Sequence, residues 1–396
     1  VEAGCVKLRG GEGVWVSGPA RVRVEEGEVL ATGFRLRGEA VVRATRGASF
    51  YAVGQGARLC ISLGSGARAE RIEEGWEIVE AWLSLVEELR RAAARRVVVL
   101  GGVEAGKSTL AAWLHNSLGL GVVEADVGQN ELGTPGCVSY ARGGGPVLSL
   151  QDLEPEACFF AGHVSADKVL GAVTGYAAAA AGRLGENGFI VDTDGYVEPR
   201  GVYQKAALAE AVDADAVIVL GDAVLAKRLR SLGLPVHEAP GVGSLARKRS
   251  RLDRRAYRSR LWARLFADAK PAVLTGVEIL GLAPWSPGED GSPVYSCGSH
   301  GTRPRRRWER GLLAAVTAPS WRSDVLAILE SLDPVNRKAV IRPAHGARVE
   351  NAAALKLGWV RLSQNYEEEH LPTLPHPCAD EARTKPPRRA GPRRRA

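Results

Sequence analysis

Apolar and polar residues alternate along the first 72 positions of the chain. CVKLRG, GVWVSG, ARVRVEEGEVL and FRLRGEAVVRA each follow a period of two, and glycine separates them. That pattern predicts short half-buried strands in a small antiparallel sandwich or barrel. Near residue 73 the period lengthens. Trp76, Val79, Trp82, Leu83, Val86 and Leu89 recur at helical spacing, which predicts a helix over 74–94 that joins the β module to the central part of the chain. Between 95 and 270, short apolar runs alternate with helical stretches, the mark of an α/β parallel sheet. Strands are expected at 96–100, 121–125, 158–161, 189–192 and 216–220, and a helix at 167–184 behind Ser165 as N-cap. Segments such as PAVLTGVEILGL and KAVIRPAHG predict a second β-rich module over 271–375, followed by a tail at 376–396.

Composition changes this picture little. The 396 residues are 45% hydrophobic and 25% charged, which excludes a wholly disordered, fibrous or membrane-embedded chain. No run of 18 apolar residues and no leader-like segment is seen, so a cytoplasmic, intracellular protein with no membrane partner is expected. The net charge is +8, but 382–396 alone carries seven basic groups and no acid. The body is therefore nearly neutral. The tail reads as a disordered basic arm, either solubilising or a loose nucleic-acid contact. The six cysteines form no CxxC pair, so a zinc site is not expected. They read as scattered small core residues. Five Gln and six Asn against 43 Arg hint at a thermophile, where an intracellular disulfide is allowed.

Candidate chemistry begins at 96–114, RVVVLGGVEAGKSTLAAWL. An apolar strand runs into Gly101-x4-Gly106-Lys107-Ser108 and on into an amphipathic helix, which is the phosphate-binding loop in its strand–loop–helix setting. Gly101, Gly102, Val103, Glu104, Ala105, Gly106, Lys107, Ser108 and Thr109 would wrap the phosphates of ATP, or of another NTP. Backbone N–H groups would point inward, with the helix dipole behind them. Lys107 would reach the β- and γ-phosphates, and the Ser108 hydroxyl would ligate Mg²⁺. The next apolar run ends in Asp126-Val127-Gly128-Gln129. A carboxylate at the end of a strand neighbouring the loop can hold Mg²⁺ or take a proton from an attacking hydroxyl. Gln129 could hold a water or a phosphate oxygen. Asp192, which ends the run FIVD, rivals Asp126 on pattern alone. His163 is either a satisfied loop histidine or part of the site.

GGVEAGKSTL, EADVGQNELGTPGCVSY, FFAGHVSADK and FIVDTDGYV together resemble the polynucleotide 5′-hydroxyl kinase family. That family includes the RNA kinases of tRNA splicing, pre-mRNA 3′-end cleavage and pre-rRNA processing. The resemblance covers about 95–270, and the flanking β modules fit its three-part layout. It implies a P-loop NTPase kinase domain between β-rich modules. It also implies transfer of the ATP γ-phosphate to the 5′-hydroxyl of RNA, with DNA as an alternative acceptor and RNA-processing proteins as partners. Asp126 would be the catalytic and Mg²⁺-holding carboxylate. Gln129, Thr134 in Thr134-Pro135-Gly136, and Tyr196 would meet the substrate. Tyr196 stands where the family has a tryptophan, and it keeps an aromatic face for stacking.

The segment 245–266, LARKRSRLDRRAYRSRLWARLF, predicts a helix with a cationic face. It is either a generic RNA-binding surface or, by the resemblance, a lid whose arginines stabilise the moving phosphoryl group. Arg254 and Arg258, at i and i+4, are the leading pair, with Arg251 and Arg255 as alternatives. RPRRRWER at 303–310 could track RNA or be a surface loop. An ATP-holding scaffold without transfer is the competing function. A GTPase is disfavoured, since Gly221-Asp222-Ala223-Val224 follows the fifth strand in place of a guanine-reading Asn-Lys-x-Asp.

Overall fold

The computed structural model describes residues 4–44, 47–243, 250–282, 285–289, 292–297, 300–302, 309–320 and 322–371. The chain divides into two units, Val1–Arg249 and Ser250–Ala396.

The first unit opens with β1 (Gly4–Leu8), β2 (Gly13–Ser17), β3 (Ala20–Ala31), β4 (Phe34–Leu36), β5 (Glu39–Val42), β6 (Gly47–Leu63) and β7 (Ala69–Ile72). They make one antiparallel sheet in the order β4-β3-β6-β2-β7, with β1 on β6 and β5 on β3. Two register shifts along β3 and β6 bend these long strands over a core that includes Val14, Val22, Phe50 and Leu59.

Helix α1 (Trp76–Arg91) buries Val79, Trp82, Leu85, Val86 and Leu89. The Trp82 ring stands edge-on to Trp113 at 5.5 Å, and its indole N–H donates to the Pro240 carbonyl at 3.0 Å. The same core takes Leu30 and Tyr51 from the β module and Val97 and Val99 from the next sheet. The helix therefore does more than join two parts: the β module and the α/β layer share one apolar interior.

That layer comprises β8 (Arg96–Gly101), α2 (Lys107–Leu118), β9 (Gly121–Glu124), β10 (Cys137–Ala141), β11 (Ala157–Phe160), α3 (Leu170–Leu184), β12 (Phe189–Asp192), α4 (Pro199–Ala211), β13 (Ala216–Leu220), α5 (Ala223–Arg230) and β14 (Val236–Ala239). The strand order is β11-β10-β9-β12-β8-β13-β14. The sheet is not wholly parallel, because β10 runs antiparallel to both β9 and β11. Neither β10 nor β14 is evident from the sequence pattern. The first is buried at every position although it carries Ser139, and the second is an edge strand bearing His237 and Glu238. Behind Ser165 a single 3₁₀ turn, Ala166–Lys168, precedes α3.

The second unit begins with α6 (Arg251–Phe266), closed by a reciprocal cap between Ser250 and Asp253. It continues through β15 (Ala272–Thr275), β16 (Glu278–Leu280), β17 (Trp285–Pro287), β18 (Pro293–Cys297), β19 (His300–Thr302), β20 (Leu312–Thr317), β21 (Asp324–Asp333), β22 (Lys338–Pro343), β23 (Ala354–Leu362) and β24 (Glu368–His370). One sheet is ordered β15-β22-β21-β20-β23-β16 with β24 on β23, and a small one is ordered β17-β18-β19. The arginine-rich helix thus falls in the second unit, with the C-terminal β module. The cause is visible at its C-terminal half. Trp262 and Phe266 are fully buried, and the Leu265 carbonyl accepts the His345 N–H at 2.8 Å.

Four of the cysteines are not scattered thiols. Cys5 faces Cys60 across β1 and β6, Cys137 lies beside Cys158 on β10 and β11, and both pairs are disulfide-bonded. Arg247, residues 303–308 of the second basic cluster, Cys378 and the basic tail lie outside the described residues. Among the described residues no helix is long and apolar enough to cross a membrane.

Candidate active site

Residues 101–109 turn from β8 into α2 at the C-terminal edge of the sheet. Gly106 has φ of 98°, and a Cβ there would meet Val242 Cγ1 at 2.7 Å. Glycine is therefore required for conformation and for space. Helix α2 starts with no side-chain cap, so its first N–H groups remain for phosphate oxygens. Lys107, 8% exposed, donates to the Gly102 carbonyl at 2.8 Å, which holds its ammonium over the loop.

Sheet order decides which carboxylates surround that ammonium. β12, not β9, lies directly against β8, and Asp192 pairs in register with Val99 on one side and Glu124 on the other. Asp192 is fully buried, and neither oxygen meets a donor at full hydrogen-bond geometry. Burial drives its pKa up to about 7, against the pull of the Ser108 hydroxyl and the Lys107 ammonium; Asp126 and Glu131 add to the rise.

Asp126 follows β9 by one residue beyond Ala125. Its Oδ1 accepts the N–H groups of Gly128 and Gln129 at 2.8 and 3.0 Å, so the Asp-x-Gly-Gln turn is built around its own carboxylate. Burial and the charge of Asp194 raise its pKa, while Lys107 and the two N–H donors lower it. Glu124, buried two residues earlier at the end of β9, accepts the Asp126 N–H at 3.0 Å. Burial and then the charges of Asp192 and Asp126 hold its pKa well above the usual carboxylate range.

Two further residues carry no signal of their own in the sequence. Asp194 is bound by Lys205 Nζ at 2.6 Å through Oδ2 and accepts the Tyr196 N–H at 2.8 Å through Oδ1. Lys205 is 1% exposed and donates also to Gln204 at 3.0 Å. Asp194 therefore ties helix α4 to the turn that carries Tyr196. That turn is close to the phosphate loop: a Cβ on Gly195 would lie 2.7 Å from the Val103 nitrogen. The Tyr196 ring lies against Gly201, where an added Cβ would come within 2.9 Å of Cδ1.

The remaining predicted residues divide. Gln129 is half-buried on the Asp126 turn. Thr134 donates its hydroxyl to Cys137 Sγ at 3.3 Å, turned toward the cysteine pair. His163 is buried, and its Nδ1 accepts the Ser165 N–H at 2.9 Å. Arg254 and Arg258 lie on α6, in the second unit. Arg258 forms a two-pronged pair with Glu368, with Nε to Oε1 and Nη2 to Oε2 both at 2.7 Å.

Among the described residues no group of three or more His, Cys, Asp or Glu side chains is set to hold a metal ion, so a divalent cation here would rest on one or two protein oxygens and on the phosphates of a nucleotide. Glu124, Asp126, Asp192 and Asp194 gather at the strand ends, with Lys107 and Lys205 as their buried counter-charges among the described residues. The unsatisfied carboxylate of Asp192 beside Ser108 offers hard oxygen donors of the kind Mg²⁺ takes.

Residues 101–268 match the model of the mRNA cleavage and polyadenylation factor CLP1 P-loop. A polyribonucleotide 5′-hydroxyl-kinase of Thermococcus kodakarensis is 31% identical over 193 residues, 46% of this chain and 54% of that protein. Those of Pyrococcus furiosus and Methanocaldococcus jannaschii are each 29% identical over 192 residues, 44% of this chain and 51% of theirs. The chain thus spans about half the length of the curated relatives it matches. Among solved structures, a wild-type Clp1p–Pcf11p complex superposes with a TM-score of 0.58 at 16% identity, covering 90% of this chain and 97% of that one. A second Clp1p–Pcf11p structure gives 0.59 at 16% identity, with 91% and 99% covered. At this identity the likeness shows a shared fold over nearly the whole chain. Over its P-loop segment the chain is thus similar to the CLP1 P-loop model and to the polyribonucleotide 5′-hydroxyl-kinases.

Proposed function

We propose that the chain is an ATP-dependent polynucleotide 5′-hydroxyl kinase acting on RNA, with DNA as an alternative acceptor. The observation that carries this reading is the convergence on Lys107 of two kinds of carboxylate. One, Asp192, sits on the adjacent strand beside Ser108. The other, Asp126, is fixed in a turn. The names of the archaeal relatives support the RNA 5′-hydroxyl as acceptor.

In this reading the loop N–H groups and Lys107 hold the β- and γ-phosphates. Ser108 and Asp192 would hold Mg²⁺, with Asp126 close by, and the ion would supply charge neutralisation on the transferring group. Asp126 accepts the proton of the 5′-hydroxyl as its oxygen bonds to the γ-phosphorus, and the bond to the β,γ-bridging oxygen breaks to release ADP. A raised pKa suits Asp126 to this role, because a base nearer the working pH takes the proton more fully. Tyr196 offers a stacking face to the terminal base. By the family resemblance the arginine-rich helix would supply charge to the moving phosphoryl group, with Arg254 and Arg258 the leading pair. A protein partner is part of the proposal by analogy with Clp1p, which is solved with Pcf11p.

The test is incubation of pure protein with γ-labelled ATP and a 5′-hydroxyl RNA oligonucleotide. Label on the RNA supports the reading. ATP binding without transfer would make the chain a nucleotide-holding scaffold.

A further inference from the structure

Glu124 is a buried acid with no part in the transfer described above. It ends β9 and is 0% exposed. Its Oε1 accepts the Asp126 N–H at 3.0 Å, and its Oε2 accepts the Glu131 N–H at 3.4 Å. One carboxyl group therefore holds both ends of the stretch that carries Asp126 and Gln129. Inside that stretch Asp126 Oδ1 takes the N–H groups of Gly128 and Gln129. The rest of the turn is hemmed in as well. The Val127 carbonyl accepts the Gly136 N–H at 2.7 Å, and a Cβ added at Gly128 would meet the Val164 carbonyl oxygen at 3.1 Å. Asn130, also buried, donates through Nδ2 to the Cys137 carbonyl at 2.9 Å.

These contacts select the residue type at 124. Two backbone donors meet one side chain, so both of its terminal atoms must accept. Glutamate does this. Glutamine offers one acceptor and sets its NH₂ against the other N–H, and alanine offers none. A buried N–H without an acceptor is unfavourable, so losing either arm should shift the backbone of the turn. The neighbouring acid is placed differently. Asp192 pairs in register with Glu124 from β12, yet neither of its oxygens meets a donor at full hydrogen-bond geometry. Of these two acids abreast, Glu124 is the one engaged with the turn.

We propose that Glu124 is a positioning residue for phosphoryl transfer. By accepting the N–H groups at both ends of the turn, it sets where the Asp126 carboxylate and Gln129 stand. A misplacement of about 1 Å at a reacting group lowers a rate by about 10²-fold, so the backbone fixed by Glu124 matters to the chemistry although Glu124 itself touches no substrate. The kinetic half of this proposal rests on the kinase reading above; the anchoring of the turn does not.

The test uses the full chain with Glu124→Gln and Glu124→Ala. Amide hydrogen exchange is read first, over 125–136 and over α2 as the reference. Both variants should accelerate exchange in the turn and leave α2 protected, with Glu124→Gln the milder because it keeps one acceptor. ATP binding is read next, for affinity and for stoichiometry. Both should match the wild type, because neither N–H held by Glu124 belongs to the phosphate loop. At saturating ATP and RNA, kcat should then fall on the order of 10–100-fold, less in Glu124→Gln than in Glu124→Ala. If Glu124→Ala does not fold, Glu124→Gln decides alone. Unchanged exchange across 125–136, or equal acceleration in α2, would overturn the anchoring. A wild-type kcat in Glu124→Gln despite faster exchange, or a loss of ATP affinity or stoichiometry that accounts for the fall in rate, would overturn the positioning role. If the wild-type chain transfers no phosphate at all, the kinase reading and the positioning role fall together, while exchange still decides whether Glu124 anchors the turn.

Discussion

Lys205 Nζ lies 2.6 Å from Asp194 Oδ2, with both side chains almost wholly buried behind the phosphate loop. Burial lowers the lysine pKa and the carboxylate opposes that fall. A buried pair of this kind is costly to break from one side. Lys205→Met should destabilise the protein by about 3–5 kcal/mol in urea unfolding, and Asp194→Asn in the same chain should restore most of it. A Lys205→Met loss under about 1 kcal/mol, the range of exposed pairs, would mean that the pair is solvated in solution.

The two carboxylates of the site should separate by experiment. Asp126→Asn should keep ATP binding and lose about 10²–10⁴ in transfer, since an amide accepts no proton. Asp192→Asn should instead raise the Mg²⁺ concentration needed for half-maximal rate, because it lies beside Ser108 on the strand next to the loop. Titrating Mg²⁺ against both variants checks the division. A shifted Mg²⁺ requirement in Asp126→Asn alone would reverse the roles.

Glu368 gives a pH prediction independent of catalysis. Burial would raise its pKa, but the Arg258 fork, His370 and Trp262 outweigh that and hold it at about 2, below the ordinary 4.5. A carboxyl depressed in the folded state contributes stability that is complete above its unfolded pKa. That stability is lost as pH falls from about 4.5 toward 2. The contribution is about 3 kcal/mol at neutral pH. Melting midpoints followed downward from pH 6 should fall less steeply in Glu368→Gln than in the wild type. Parallel curves would show that the pair does not persist in solution.

Local features are legible in the sequence and long-range ones are not. The phosphate loop is contiguous, and the period change near Trp76 marks α1 because its buried residues lie on one helical face. The Asp-x-Gly-Gln turn is a local structure, closed by hydrogen bonds two and three residues apart. Sheet order is not local. The segment after α2 reads as the neighbour of the loop strand, yet β12 inserts between β9 and β8 and brings Asp192 there. Lys205 reads as an ordinary helix lysine until α4 packs it against Asp194. The arginine spacing of α6 is plain, but only the fold shows that Glu368 claims Arg258.

Transfer of a phosphoryl group from this loop to an RNA end is read by following label from γ-labelled ATP onto a 5′-hydroxyl RNA oligonucleotide, with the wild-type chain and Lys107→Ala side by side. A matched 5′-phosphorylated oligonucleotide serves as the blocked acceptor. The wild type should label only the 5′-hydroxyl RNA. Lys107→Ala, folded by its melting curve, should lose transfer by several orders of magnitude, because the γ-phosphate has lost its preorganised cation. Equal labelling by wild type and Lys107→Ala, or none by the wild type with Mg²⁺ and ATP in excess, would contradict phosphoryl transfer at this loop.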